Sequence, residues 1–360
     1  ELRDYSNEDG TEMTETQKDT VIRIVKKELW GYAIVDDLIH APDISDIKIY
    51  ACNQIRIKKD GKRMDAGVTF LDNSAYQTFV NRILERNKIN LGTANAIQTF
   101  TDNSQDDFKL RITAISSLLT DNGLPCIAIR KIPKAKYTLE ELIQWGAFNE
   151  EEIVSRQEKQ EKNINNIDSL INSMINSRGN IFTGKGGAGK SAMMNACLAK
   201  VPHDESVMIC QENAELFDDE HPDLLAAHVL MNGADTKVSY NLGDLTKVAL
   251  LVDVDRVIVG EVKEGSEAEG LSKASMTGHK CWTSVHGENC QMAVEKMADY
   301  ISQATGYAPR DSRKQLCGFE FVVHMNENRR PDEVIRIAGW DDHTDSIIYE
   351  EIFPFHKEVS

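Results

Sequence analysis

The chain has 360 residues, 41% of them hydrophobic, and 58 acidic residues against 41 basic ones leave a formal net charge of −17. That length and apolar content suffice for two cores of ordinary size. The acidic balance argues against non-specific wrapping of nucleic acid, which depends on many Lys and Arg contacts to phosphate, and no stretch approaches the roughly 20 apolar residues of a membrane-spanning helix.

Residues 1–15 are polar and acidic and are expected to be loose. Val21, Ile24, Val25 and Leu29 then recur at helical spacing, with Gly31 closing the helix. From Ile44 the period changes to two: Ile47 and Ile49, then Ile55 and Ile57, alternate with polar residues, and Asp60-Gly61 fits a hairpin turn. The basic run Lys58, Lys59, Lys62 and Arg63 is expected to sit on the solvated tip of that hairpin. Asp72 or Asn73 can cap a helix carrying Tyr76, Phe79, Val80, Ile83 and Leu84 on one face. Strands follow around Phe108–Ile112 and Ile127–Arg130, so 16–133 is expected to form a small α+β domain.

A short hinge is expected over 134–138, and a capping box at Thr138-Leu139-Glu140-Glu141 opens the second domain, 139–360. The polar stretch from Glu150 to Asn166 carries no evident chemistry. From Asn180, strands and helices alternate: Ile181-Phe182 as strand, Met193–Ala199 as helix, Ser206–Cys210 as strand, Gly243–Leu251 as helix, Arg256–Val259 as strand, a helix through Leu271, and a strand at Thr283–Val285. Such alternation implies a parallel sheet covered by helices, an α/β core of RecA-like type.

Between the Ile181-Phe182 strand and the next helix lies Gly184-Lys185-Gly186-Gly187-Ala188-Gly189-Lys190-Ser191, the spacing of a phosphate-binding loop. Glycines let backbone N–H groups turn inward around phosphate oxygens, and the following helix adds its N-terminal dipole. ATP is the expected ligand, with Lys190 bridging the β- and γ-phosphates and Ser191 holding Mg²⁺. The extra lysine, Lys185, resembles the deviant loop of MinD/ParA-type ATPases. Those proteins carry the loop near the chain start and follow the second strand with a D-x-D switch. Here the loop begins at residue 184 and the next strand runs into Gln211-Glu212-Asn213-Ala214-Glu215. Lys185 is left open as a subunit-interface residue or a solvated loop lysine.

Seven cysteines occur without a C-x-x-C pair, a pattern of free thiols rather than a disulfide scaffold. Cys281, His286 and Cys290 lack the paired spacing of a structural zinc site.

Downstream, Asp255–Lys263 describes a buried strand delivering Glu261 at its end, followed by Thr277-Gly278-His279 and Thr283-Ser284-Val285-His286. With these motifs the sequence resembles the secretion ATPase superfamily, the motors of type II and type IV secretion, type IV pili and Tad pili. Members follow the loop with an acidic Asp box, a Walker B strand ending in Gly-Glu and a His box, in the order found here. The first domain carries the matching arginines, Arg111 and Arg130, on strands. The chain carries no tetracysteine module of the kind common in type II secretion and pilus-extension members. Its compact first domain and the Ile129-Arg130-Lys131 strand resemble the Tad and type IV secretion branch, which is the expected one, whereas the seven-residue spacing from His279 to His286 resembles the pilus-retraction branch.

The resemblance implies a PAS-like first domain, catalytic roles for Glu212, Glu261, His286, Arg111 and Arg130, and Mg²⁺ contacts from Ser191 (through the nucleotide) and Glu261. It implies a homo-hexameric motor in the cytoplasm, docked on a polytopic inner-membrane platform protein. The acidic balance speaks against a nucleic-acid partner, and the lack of a long apolar stretch against direct insertion in the membrane. Two departures stand out. Gln211-Glu212 replaces the usual Glu-Asp pair, so one carboxylate has become an amide that cannot take a proton. Lys263 replaces the usual arginine after Gly-Glu, keeping charge without the planar fork. The first departure leaves a second reading, a nucleotide-gated scaffold that does not hydrolyse ATP.

Overall fold

A computed structural model of the chain describes residues 13–134, 164, 166–230 and 240–354. The Thr138 capping box and nearly all of the polar stretch after Glu150 lie outside these residues, as does most of the expected acidic tail. The described residues divide into two units, one running to Ser116 and including Leu124–Ile132, the other combining Ser117–Gly123 with the chain from Pro133 onward.

The first unit opens with α1 (Glu15–Leu29), capped reciprocally by Thr14 and Gln17. Its apolar stripe faces solvent: Ile24, Val25 and Leu29 are exposed, as is Trp30 just beyond. A 3₁₀ turn and the short α2 (Asp36–His40) lead into a six-stranded sheet with order β3-β2-β1-β6-β5-β4. Its strands are β1 (Ile44–Ala51), β2 (Gln54–Lys59), β3 (Lys62–Asp65), β4 (Ile97–Asp102), β5 (Phe108–Ile115) and β6 (Cys126–Pro133). Ile47 pairs with Ile57 and Ile49 with Ile55 across β1 and β2, so the period-two apolar residues share one face. Asp60 and Gly61 both have positive φ, 49° and 76°, as a two-residue hairpin of type I′ requires. That face packs on α3 (Asn73–Arg86), whose N-cap Asp72 accepts from the Ala75 amide at 2.8 Å and whose Tyr76, Phe79, Val80, Ile83 and Leu84 are all buried.

The second unit is an eight-stranded sheet with order β14-β13-β12-β7-β11-β10-β8-β9. Its helices are α4 (Ile167–Asn176), α5 (Lys190–Leu198), α6 (Leu242–Ala249), α7 (Gly265–Met276), α8 (Cys290–Thr305) and α9 (Pro309–Gln315). The strands are β7 (Gly179–Thr183), β8 (Val207–Gln211), β9 (Leu224–His228), β10 (Arg256–Val259), β11 (Lys280–Val285), β12 (Phe321–Met325), β13 (Pro331–Asp341) and β14 (Ser346–Phe353). From β12 to β9 every neighbouring pair is parallel, and β13 and β14 extend the sheet antiparallel. β7, β8 and β10 are buried along their whole length, as strands covered on both faces must be. Ser117–Gly123 joins this unit by pairing with β9, Asp121 donating its amide to Ala226 and His228 donating to Leu119.

At the N-terminal edge of the parallel strands, Arg256 is fully buried. It is tied to Glu205 Oε2 at 2.8 Å and to the Ile175 carbonyl at 2.7 Å, and its guanidinium lies 4.4 Å from the Trp282 ring centroid. A buried cation is tolerated here because Nε and Nη2 meet a carboxylate and a carbonyl and the guanidinium faces a π-system, although Nη1 is left without a hydrogen-bond partner among the described residues. This clamp fixes one end of the sheet and leaves the opposite, C-terminal edge for chemistry.

Candidate nucleotide site

Parallel strands deliver their C-terminal residues to one edge, where ligands bind in sheets of this kind. β7 ends at Thr183 and runs into the glycine loop. β8 ends at Gln211, β10 leads to Gly260-Glu261, and β11 leads to His286. Gly186 and Gly187 of the loop, Gln211, Gly260, Glu261 and His286 line an open cleft of about 220 Å³ that also takes in Lys190, Ser191, Glu212 and Glu215.

The loop's shape follows from its glycines. Gly184, Gly187 and Gly189 have φ of 138°, 76° and 87°, conformations that side-chain-bearing residues rarely adopt. At Gly184 a Cβ would also collide with the Met325 carbonyl. Gly189 is the left-handed N-cap of α5, so Lys190 is the first helical residue, earlier than the apolar pattern starting at Met193 indicates.

Lys190 is 8% exposed. Its ammonium donates to the carbonyls of Gly184 at 3.0 Å and Lys185 at 3.1 Å and lies 3.3 Å from His286 Nδ1. Burial pulls its pKa below the ordinary lysine value, while Glu261 and Glu215 act in the opposite sense. His286 Nδ1 also lies 3.1 Å from the Gly184 carbonyl, and its Nε2 faces Glu261 Oε1 at 2.7 Å. The approach is out of line for a hydrogen bond, and Glu261 Oε1 stays buried without a donor. A buried carboxylate oxygen lacking a partner is costly, and its position suits a water or a metal-bound water arriving with a nucleotide.

Ser191 donates its hydroxyl to Glu215 Oε2 at 2.7 Å. Glu212 accepts from Lys263 at 2.6 Å, and Lys263 also lies 3.6 Å from Glu261. The bond to Glu212 is the main cause of the raised Lys263 pKa. Lysine in place of arginine thus spans two carboxylates as a point charge. Glu267, its pKa raised by burial, accepts the amides of Lys263 at 2.6 Å and Glu264 at 3.2 Å and fixes the turn after Glu261.

Gln211 is a clamp. It is 2% exposed, its Nε2 donates to Asp121 Oδ2 at 3.1 Å and the Leu216 carbonyl at 3.0 Å, and its Oε1 accepts the amides of Glu215 at 3.1 Å and Leu216 at 2.9 Å. Two acceptors and two donors surround it, and only an amide answers both. A Cβ at residue 260 would lie 3.4 Å from Gln211 Cβ, so Gly260 lets β10 close against this clamp.

Arg111 and Arg130 lie on β5 and β6 in the first unit, and Arg130 Nε donates to Asp46 at 2.6 Å. Lys185 is exposed and paired with Glu327 at 2.5 Å. His279 Nδ1 lies 3.0 Å from Thr277 Oγ1 at the end of α7. Cys281 and Cys290 are fully buried, and among the described residues no three His, Cys, Asp or Glu are grouped to hold a metal. That does not weigh against Mg²⁺, which is commonly held by substrate phosphates with one or two protein ligands. Ser191, Glu215 and the orphaned Glu261 oxygen suit such an ion. Glu215 and Asp121 were not among the sequence candidates. Glu215 was legible only as one more carboxylate near Gln211, and Asp121 reaches the site across 90 residues.

Fold and site together define a P-loop ATPase with a RecA-like core. Residues 33–308 match the family model described as type II/IV secretion system protein, and the chain belongs to that family. It is 24% identical over 276 residues to a putative conjugal transfer protein of Mycobacterium tuberculosis (strain H37Rv), covering 74% of this chain and 72% of that protein. The type IV secretion system protein VirB11 of Brucella suis biovar 1 is 26% identical over 243 residues, 60% of this chain and 64% of its own length. The crystal structure of the Brucella suis VirB11 ATPase in complex with sulphate superposes with a TM-score of 0.70 at 18% identity, over 91% of this chain and 98% of that one, a likeness of fold.

Proposed function

We propose that this chain is an ATP-driven motor that powers assembly or transport in a type IV-like secretion or pilus apparatus. The observation that carries it is the convergence of Lys190, Ser191, Glu215, Glu261 and His286 on one sheet edge. On binding ATP, Lys190 exchanges its two carbonyl partners for β- and γ-phosphate oxygens, and His286 reports that exchange to Glu261 through its two ring nitrogens. Ser191 gives up Glu215, and the Ser191 hydroxyl with the Glu261 carboxylate is the natural holder of Mg²⁺. When bound, that ion neutralises charge on the phosphates. Glu261 orients the attacking water, and Glu212, paired to Lys263, is the second carboxylate of the site. Arg111 and Arg130 are proposed phosphate contacts on the strength of their motif match alone.

Gln211 is fully engaged in its own hydrogen bonds, so its lack of a carboxylate does not remove a proton acceptor, and this favours hydrolysis over the scaffold reading. The conjugal-transfer and type IV secretion names of the relatives support the type IV side of the Tad and type IV branch. A homo-hexamer working at the cytoplasmic face of the membrane, against a polytopic platform protein, completes the proposal. Among the described residues no helix is long and apolar enough to cross a membrane. Phosphate release by purified protein tests it. Lys190→Ala should abolish nucleotide binding, whereas Glu261→Gln should keep binding and lower turnover at least about 100-fold. Turnover at the wild-type rate in Glu261→Gln would remove Glu261 from the chemistry.

A further inference from the structure

The turn between β12 and β13 is built against the glycine loop. Its approach is set on three sides: the Met325 carbonyl occupies the space a Gly184 side chain would need, Glu327 is ion-paired to Lys185 at 2.5 Å, and Arg329 lies against Gly189. A Cβ at Gly189 would lie 3.4 Å from Arg329 Cβ and 3.8 Å from its Cγ. The stem of Arg329 therefore rests directly on the last glycine of the loop.

The turn is held in one shape. Asn326 Oδ1 accepts the amides of Asn328 at 2.9 Å and Arg330 at 3.2 Å, and the Asn326 carbonyl accepts the Arg329 amide at 3.0 Å. Arg329 is kept at φ 61°, a left-handed conformation uncommon for a residue with a side chain. Its guanidinium is exposed and has no partner among the described residues, unlike the other basic residues at the loop, Lys185 and Lys190.

Sheet order gives the direction. β7, which feeds the loop, has β11, β10 and β8 on one flank and β12 on the other. Glu261, His286 and Glu212, the groups suited to the γ-phosphate end, come from the first flank. A nucleotide seated with its γ-phosphate there runs its nucleoside end toward β12 and the turn that follows it. A planar, delocalised guanidinium is suited to stack on a purine ring and offers donors to its edge.

From this placement we infer that Arg329 is a nucleoside-contacting residue of the ATPase site, gripping the purine end of the nucleotide while the loop holds the phosphates. The inference rests on the ATP-site reading above. Binding of Mg²⁺-ATP and of inorganic tripolyphosphate to the full chain, measured by calorimetry, separates the two. Arg329→Ala should weaken ATP about 5- to 10-fold and leave tripolyphosphate unchanged. Arg330→Ala, which removes the same charge from the same turn, should leave both unchanged. Unchanged ATP affinity in Arg329→Ala, an equal loss for tripolyphosphate, or an equal loss in Arg330→Ala would each overturn the assignment while the phosphate site stands. Failure of the wild-type chain to bind either ligand would instead overturn the ATP site and the inference with it.

Discussion

Position 211 illustrates how one atom's chemistry decides a residue's role. An amide presents an acceptor and two donors, and Gln211 uses both ends against the Glu215 and Leu216 amides, the Leu216 carbonyl and Asp121. A glutamate here, ionised at neutral pH, would face the carbonyl and the Asp121 carboxylate without a proton to offer. Gln211→Glu should therefore destabilise the protein by about 2 kcal/mol, seen as a thermal midpoint lowered by roughly 4–8 °C, with no gain in turnover. A variant that hydrolyses ATP faster would show instead that the position is catalytic. The identity of this residue was plain in the sequence, where it suggested a missing catalytic group. Its actual partners were not, because Asp121 is 90 positions away and the other three are backbone atoms that no side-chain motif announces.

At the scale of elements, the first unit is pinned where three of them meet. Tyr32 beyond α1 donates its hydroxyl to Asp102 at the end of β4 at 2.5 Å, and Arg86 at the end of α3 donates to the same oxygen at 3.0 Å. Burial alone would raise the Asp102 pKa, but the hydrogen bonds from Tyr32 and Ser104, with the Arg86 charge, outweigh it and bring it down to about 2. A carboxyl whose folded pKa lies below its unfolded value of about 3.9 stabilises the fold above that value and loses the contribution as pH falls toward 2. Asp102→Asn should thus unfold at lower denaturant than wild type at pH 7, with the gap narrowing between pH 4 and pH 2. A gap independent of pH would mean that the charge is not what stabilises this junction. β4 itself escaped sequence reading because Ile97–Asp102 is an edge strand with few fully buried residues. The neighbouring α3 was legible in full, its cap and five apolar positions falling as the 3.6-residue period requires.

For the whole molecule, charge and assembly carry the expectations. A formal net charge of −17 gives DNA phosphates little to bind, so duplex DNA should not stimulate the ATPase at physiological salt. Sedimentation in the presence of ATP should give a species of six chains of 40.4 kDa. A monomer at all nucleotide concentrations would contradict the proposed hexamer. Hydrolysis stimulated by DNA and suppressed by added salt would reverse the partner assignment.

By itself the sequence determined the nucleotide loop, the strand that delivers Glu261, the His286 motif and the alternation that makes a parallel α/β core. These signals are local: the loop needs particular residue types at fixed spacing, and a buried strand needs an unbroken apolar run. Only the tertiary structure decided the β13–β14 extension of the sheet, the buried Arg256–Trp282–Glu205 clamp, the role of Gln211, and the seat of Arg329 on Gly189. Each of those depends on which distant segments hydrogen-bond side by side, a property of sheet order and burial that no short window of residues contains.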